Sequence, residues 1–323
     1  MRVAVIGAGA MGSLASMLLG GSGAEVVVYE RREERVAWLR ENGIRVRGAV
    51  SGDLKPEIGM PGEAADPYDL ILLAVGAGES GEALRPLSPC VHRDTIYLSL
   101  QEGSAVGELA GMVGGDRAFA AVAWVSAAEM PDGEVEVEGF RSLVLGGDLP
   151  GNEERVGVLA EALQTSSPAA VSIADDLDKE IWRRLAAAAA VSSICAVSDA
   201  VPVEARKIEG MDSLCGEIAT ECIGVAAAAG EELSVPGSPW EEAVWRDIAP
   251  PLLRDIRAGR KAESAYLNGY IDARARASGI RAPLNSAAYS VLREMEAGRR
   301  RPGVDSIKEL KRRIEEERGM ALF

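Results

Sequence analysis

The first thirty residues constrain this chain more than any other stretch. Met1-Arg2-Val3-Ala4-Val5-Ile6 is a short apolar run with β-branched Val and Ile, and Gly7-Ala8-Gly9-Ala10-Met11-Gly12 follows it directly. Residues 13–19 read as a helix, and Glu25-Val26-Val27-Val28-Tyr29 is a second β-rich run closed by Glu30. Strand, glycine turn, helix and strand in this order make half of a dinucleotide-binding fold. Gly7 permits the tight turn off the strand, Gly9 lets the backbone approach a pyrophosphate, and Gly12 lets the helix lie close to the sheet. Free N–H groups and the helix dipole at the start of the helix favour a phosphate. The expected cofactor contacts are therefore Gly7, Ala8, Gly9, Ala10, Met11 and Gly12.

Glu30-Arg31-Arg32 closes the second strand, and it carries the choice of cofactor. A carboxylate here accepts hydrogen bonds from the ribose hydroxyls and repels a 2′-phosphate, whereas an arginine binds that phosphate. Glu30 stands at the strand end itself, so NAD(H) is the preferred expectation and NADP(H), through Arg31, the alternative.

The remaining parallel strands can be read in order. Residues 33–43 are expected to be a helix and 44–47 a strand. Asp69-Leu70-Ile71-Leu72-Leu73-Ala74-Val75 is a continuous apolar run, as a strand buried on both faces requires. Val75 and Gly76 end it, where a cofactor would pass. Residues 95–100, ending before Gln101-Glu102, and 118–125 are further strands. Residues 134–137 and 142–145 flank a glycine and are expected to form an antiparallel pair. A helix over 154–163 and a last strand over 169–173 follow. From Asp175 onward helical patterning takes over, with one helix over 262–277 and a charged one over 306–319. The expected fold class is α/β: a Rossmann dinucleotide-binding domain over 1–174 and an all-helical substrate and dimerisation domain over 175–323.

Composition excludes several functions. The chain has 323 residues and a formal net charge of −15, which disfavours nucleic acid and anionic membrane surfaces as partners. No apolar run is expected to approach the roughly 20 residues of a membrane span. Cys90, Cys195, Cys215 and Cys222 are scattered without metal-ligand spacing, so no metal site is expected and a cytoplasmic protein with reduced thiols is. His92 is the sole histidine and falls just before a strand, which argues against a histidine-based hydride enzyme.

Three stretches resemble the ketopantoate reductase (2-dehydropantoate 2-reductase) family. They are the Gly7–Gly12 turn; Ile181-Trp182-Arg183-Arg184-Leu185, which is similar to that family's Leu-Trp-x-Lys-Leu; and residues 255–263, followed by Asn268-Gly269 and Gly279-Ile280-Arg281-Ala282-Pro283-Leu284-Asn285. The resemblance spans about residues 1–300 and implies a Rossmann domain, a helical C-terminal domain, a 2-oxo acid substrate and a homodimer. It also implies site residues. The family lysine that polarises the substrate carbonyl falls on Arg184. The two asparagines that follow it fall on Ala188 and Ser192, and another, after the fifth strand, falls on Glu102. A hydroxyl-contacting serine falls near Pro251, and a lysine that holds the NADP phosphate falls on Gly76. Glu263 stands where the family has its glutamate, and Asn268 also matches a family position.

These departures alter the chemistry. Arginine does not give up a proton near neutrality, but it can grip a carboxylate with two parallel bonds or stabilise a developing alkoxide. A charged Glu102 repels a 2-oxo acid unless it is protonated or paired. The candidate catalytic residues are Arg184, Glu263 and Glu102, with Lys261 as a substitute proton donor; Ser192 and Asn268 are the candidate substrate contacts. The expected activity is an NAD(P)-dependent oxidoreductase that moves a hydride to or from a small polar carbonyl or imine other than ketopantoate. The alternatives are an authentic 2-dehydropantoate 2-reductase and a nucleotide-binding regulator without turnover.

Overall fold

The computed structural model describes residues 1–102, 105–147, 152–233 and 237–319. It divides into two compact units, Met1–Leu177 and Asp178–Phe323.

The first unit is built on one mixed sheet with helices on its faces. In chain order it runs β1 (Arg2–Ile6), α1 (Ala10–Gly21), β2 (Glu25–Tyr29), α2 (Glu33–Asn42), β3 (Ile44–Gly48), β4 (Gly52–Leu54), β5 (Glu57–Gly59), β6 (Tyr68–Leu73), α3 (Ser80–Leu84), β7 (Val91–Ser99), α4 (Ala105–Val113), β8 (Ala118–Glu129), β9 (Val135–Gly146), α5 (Glu153–Ser166) and β10 (Ala170–Ile173). The strand order is β4-β3-β9-β8-β7-β6-β1-β2-β5, with β10 also on β9. Strands β5, β2, β1, β6, β7 and β8 are mutually parallel, as the alternation of apolar runs and helices requires. Val3, Ala4, Val5, Leu70, Ile71, Leu72 and Leu73 are completely buried, so β1 and β6 are the covered centre of the sheet.

Two expectations for this unit need correction. Residues 134–137 and 142–145 do not pair with each other. They belong to one strand, β9, which runs antiparallel to β8. Gly139 lies opposite Ser126, beside a shift in register, so the glycine accommodates a bulge rather than a turn. His92 lies inside β7 rather than before it, with Nε2 3.5 Å from an Asp69 carboxylate oxygen. It sits at the start of a parallel strand, away from the carboxyl ends where ligands bind in such sheets.

In the second unit the described elements are helical: α6 (Leu177–Ser198, which begins at the boundary), α7 (Pro202–Ala205), α8 (Met211–Ala228), α9 (Pro239–Glu242), α10 (Pro251–Arg257), α11 (Asn268–Ala277), α12 (Pro283–Glu296) and α13 (Val304–Gly319). Helix α6 has the length and hydropathy of a membrane span, contrary to the expectation that no apolar run approaches one. In this fold 89% of its apolar window is buried, as in the core helix of a globular unit.

The helix expected over 262–277 is broken. Residues 264–266 form a single tight turn with Glu263 at its start, and Leu267 leaves helical geometry at φ −106° and ψ −104°. The break has a packing cause. The Ser264 N–H donates to Glu296 at 3.1 Å, and a Cβ at Gly269 would lie 2.7 Å from the Tyr289 ring, so α11 starts flush against α12. A buried polar chain fixes that start. Asn268 Nδ2 donates to Asn285 Oδ1 at 3.0 Å, and Asn285 Nδ2 donates to a Glu221 carboxylate oxygen at 2.7 Å. Glu221 also accepts the N–H groups of Leu284 and Asn285 at 2.9 and 2.7 Å, capping α12 with a side chain from α8. Burial pushes the Glu221 carboxyl up despite these bonds.

The charged final helix is more than a solvated surface. Leu310 and Ile314 are buried, and Arg313 reaches Glu294 of α12 and Glu309 of its own helix.

Glu221→Ala should leave the N–H groups of Leu284 and Asn285 without their acceptor and lower stability by about 1–3 kcal/mol. Urea unfolding followed by circular dichroism measures this; an unchanged midpoint would show that the cap contributes nothing.

Candidate dinucleotide site and active-site residues

The site begins with a steric restriction. Gly7 leaves β1 at φ +99°, and a Cβ there would lie 2.8 Å from the Ala74 carbonyl oxygen. A Cβ at Gly12 would lie 1.8 Å from the Gly7 carbonyl oxygen, so α1 crosses the turn at a separation only glycine permits. Gly9 is different: a Cβ there meets no described atom within 4 Å. Gly9 also precedes α1 without a side-chain cap. The turn is thus closed on its protein side and open on the other, with first-turn N–H groups at the opening. These features fit a bound pyrophosphate, with Gly7–Gly12 as its cradle.

Glu30 stands beside the turn. One of its carboxylate oxygens accepts the Ala8 N–H at 3.1 Å, and the other accepts the Arg32 N–H at 3.0 Å. The Arg32 guanidinium lies against the same carboxylate at 3.1 Å. Burial alone would push the Glu30 carboxyl up, but the bonds from Arg32 and Ala8 overcome this and hold it below the usual range. Arg32 also reaches Glu129 at 3.0 Å, and Arg31 pairs with Glu79 at 2.5 Å. Arg35 is buried below, donating to the Ala8 and Gly133 carbonyls with its guanidinium over the Trp38 ring.

Val75 and Gly76 follow β6, and a residue not singled out from the sequence holds them. Gln101 Nε2 donates to the Val75 and Gly76 carbonyls at 3.1 and 2.9 Å. Ser99 Oγ donates to Gln101 Oε1 at 3.0 Å, and Ser80 Oγ lies at the same distance from it. The available signal was a polar amide at the carboxyl end of a parallel strand. Its neighbour Glu102 is half-buried at that same end.

In the second unit the two adjacent arginines separate. Arg183 is exposed and pairs with Glu180 at 2.9 Å. Arg184 is only 6% exposed; its guanidinium lies 4.7 Å from the Trp245 ring centroid, and Nη1 is 3.4 Å from the Ala243 carbonyl. Ala188, one turn along, is fully buried. Ser192 is buried, and its Oγ has no hydrogen-bond partner among the described residues. Glu263 is half-buried and Lys261 exposed. Asn268 is committed through its amide nitrogen to Asn285, while its Oδ1 has no partner among the described residues.

A glycine cradle at the end of β1 and an acidic β2 terminus fit a bound dinucleotide. Comparison with known proteins makes this specific. Residues 3–149 match the family described as Ketopantoate reductase PanE/ApbA, and residues 176–296 match its C-terminal counterpart. The chain belongs to the ketopantoate reductase family, and its class is NAD(P)-dependent oxidoreductase.

A 2-dehydropantoate 2-reductase of Pyrococcus abyssi is 26% identical over 302 residues, 92% of this chain and 98% of that protein. The structure of a D-mandelate dehydrogenase with NADH and anilino(oxo)acetate superposes with a TM-score of 0.84 at 24% identity, covering 92% of this chain and 99% of that one. A dimeric ketopantoate reductase from Staphylococcus aureus gives 0.74 at 19% identity, covering 93% and 100%. At these identities the solved structures establish the fold.

Gly9→Ala and Gly12→Ala should separate binding from folding. Gly9→Ala keeps the melting temperature within about 2 °C and weakens NADH binding at least about tenfold, because its methyl enters the open face. Gly12→Ala loses roughly 1–3 kcal/mol of stability through its clash with Gly7. Calorimetry and nucleotide titration measure both; equal behaviour of the two variants would contradict the assigned faces.

Proposed function

We propose that this protein is an NAD(H)-dependent oxidoreductase of a 2-oxo acid, or of the matching 2-hydroxy acid, other than ketopantoate. The observation that carries the reading is the buried Arg184, held against Trp245 and the Ala243 carbonyl. The guanidinium is a permanent cation with a planar fork of donors, chemistry that suits a ligand carboxylate.

The cradle of Gly7–Gly12, with Val75 and Gly76 beside it, would hold the dinucleotide, Glu30 would face its ribose, and Arg31 would stand near the same hydroxyls. A nicotinamide bound there supplies or accepts hydride at the substrate carbon. Arg184 grips the substrate carboxylate or stabilises oxygen charge, but it transfers no proton. Glu263 serves as acid or base, and Glu102 bounds the carboxyl end of β7 and restricts which anions fit. Ser192 Oγ offers a hydroxyl contact to the substrate. Asn268 contributes through Oδ1 while its nitrogen holds the helical unit together.

Two observations support a substrate other than ketopantoate. Ala188 presents a buried methyl where the family's asparagine amide is expected. The D-mandelate dehydrogenase that shares this fold was solved with an oxoacetate that bears an anilino group. The NAD(H) preference is supported by the charged Glu30 at the end of β2 and by the NADH in that same structure. We also read the protein as a cytoplasmic homodimer, supported by the dimeric S. aureus relative and the four buried free thiols. Authentic ketopantoate reduction is the second reading, and Glu263 favours it because that residue retains the family's glutamate.

Arg184→Ala should lower kcat/KM for a 2-oxo acid by roughly 10²-fold or more, while the Kd for NADH, set within the first unit, stays within about twofold. Arg184→Lys should recover part of the loss. A variant with wild-type kcat/KM would remove Arg184 from the site.

A further inference from the structure

Arg31 and Arg32 are the two cations that follow β2, where an arginine binds the 2′-phosphate of NADP in folds of this kind. Neither stands ready for a phosphate. Arg31 Nη2 is 2.5 Å from Glu79, which precedes α3. Arg32 is held twice, by Glu30 at 3.1 Å and by Glu129 at 3.0 Å, and its second guanidinium nitrogen is 3.5 Å from the other Glu129 oxygen. Glu129 ends β8 and is itself anchored 3.6 Å from the buried Arg35. Carboxylates 48 and 97 residues downstream in the chain thus converge on consecutive arginines.

We infer that Glu79 and Glu129 are specificity-determining residues, which occupy Arg31 and Arg32 and so make the site select against a 2′-phosphate. The inference rests on the reading of the glycine turn as an NAD(H) site and deepens it. A 2′-phosphate must displace both carboxylates from their arginines and then lie beside them, so it meets repulsion where an empty arginine pair would attract it. A ribose hydroxyl leaves both pairs intact. Glu30 alone does not account for this selection, because its carboxylate is largely covered and is already bonded to Ala8 and Arg32. Glu79 and Glu129 therefore act through the arginines and serve as positioning residues.

Adenosine fragments isolate the effect from catalysis. The full-length protein and its Glu79→Gln, Glu129→Gln and doubly substituted forms are titrated calorimetrically with 5′-AMP and with adenosine 2′,5′-bisphosphate. Both ion pairs reach solvent, and because Glu129 also faces the buried Arg35, the melting temperature of each variant is measured first to show that the fold is kept. The wild type should prefer 5′-AMP. The double variant should bind the bisphosphate about tenfold or more tightly than the wild type does, with 5′-AMP changed less than twofold. Adding Arg31→Ala and Arg32→Ala to the double variant should abolish the gain, a result that a merely structural role would not produce. A bisphosphate-to-AMP ratio unchanged in the double variant overturns the inference and leaves the NAD(H) reading in place. A wild type that binds the bisphosphate more tightly than 5′-AMP overturns the reading, and the inference falls with it.

Discussion

The space between the Gly7 carbonyl and the Cα of Gly12 is too small for one methyl group, and the glycine turn depends on that closeness. It sets α1 down onto the end of β1, with its uncapped N-terminus at the open face of Gly9. The same turn presents the Ala8 N–H to Glu30 at 3.1 Å and the Gly7 N–H to the Tyr29 carbonyl at 2.8 Å, so the tip of β2 is tied to the glycine turn. Turn geometry, the Glu30 carboxylate and placement of the two arginines are therefore one connected arrangement. A dipole and a set of backbone N–H groups attract phosphate regardless of which cofactor arrives. In the proposed reading, discrimination comes from the carboxylates and arginines gathered around Glu30.

The second unit solves a different problem. Its helices α12 and α13 are fixed to each other by ion pairs. There, Arg313 and Arg300 meet Glu294 and Glu309, and the result is a helix contact. Arg184 lies on an indole face and near a backbone carbonyl, contacts that orient its guanidinium.

Much of the first unit was legible because its signals are local. The glycine spacing, the apolar runs of β1 and β6 and the acidic end of β2 each occupy a few adjacent residues. The strand β9 was misread because its partner β8 is distant, and a glycine in a bulge has the same local signature as a glycine in a turn. Arg183 and Arg184 are neighbours with identical chemistry, and only tertiary burial separates them. Glu79, Gln101 and Glu129 carry no motif and reach their partners through the chain's topology. Asn268 was legible as a notable position. That its amide nitrogen is spent on Asn285, which in turn donates to Glu221, followed only from the packing of α8, α11 and α12.

The central claim is that this family member combines an NAD(H) site with a substrate other than ketopantoate. Initial rates of NADH and NADPH oxidation, followed by absorbance with ketopantoate and with a panel of other 2-oxo acids that includes an aryl-substituted oxoacetate, test it most directly. The account predicts faster oxidation of NADH than of NADPH, with kcat/KM for at least one other 2-oxo acid exceeding that for ketopantoate. Fastest turnover with NADPH and ketopantoate would contradict it.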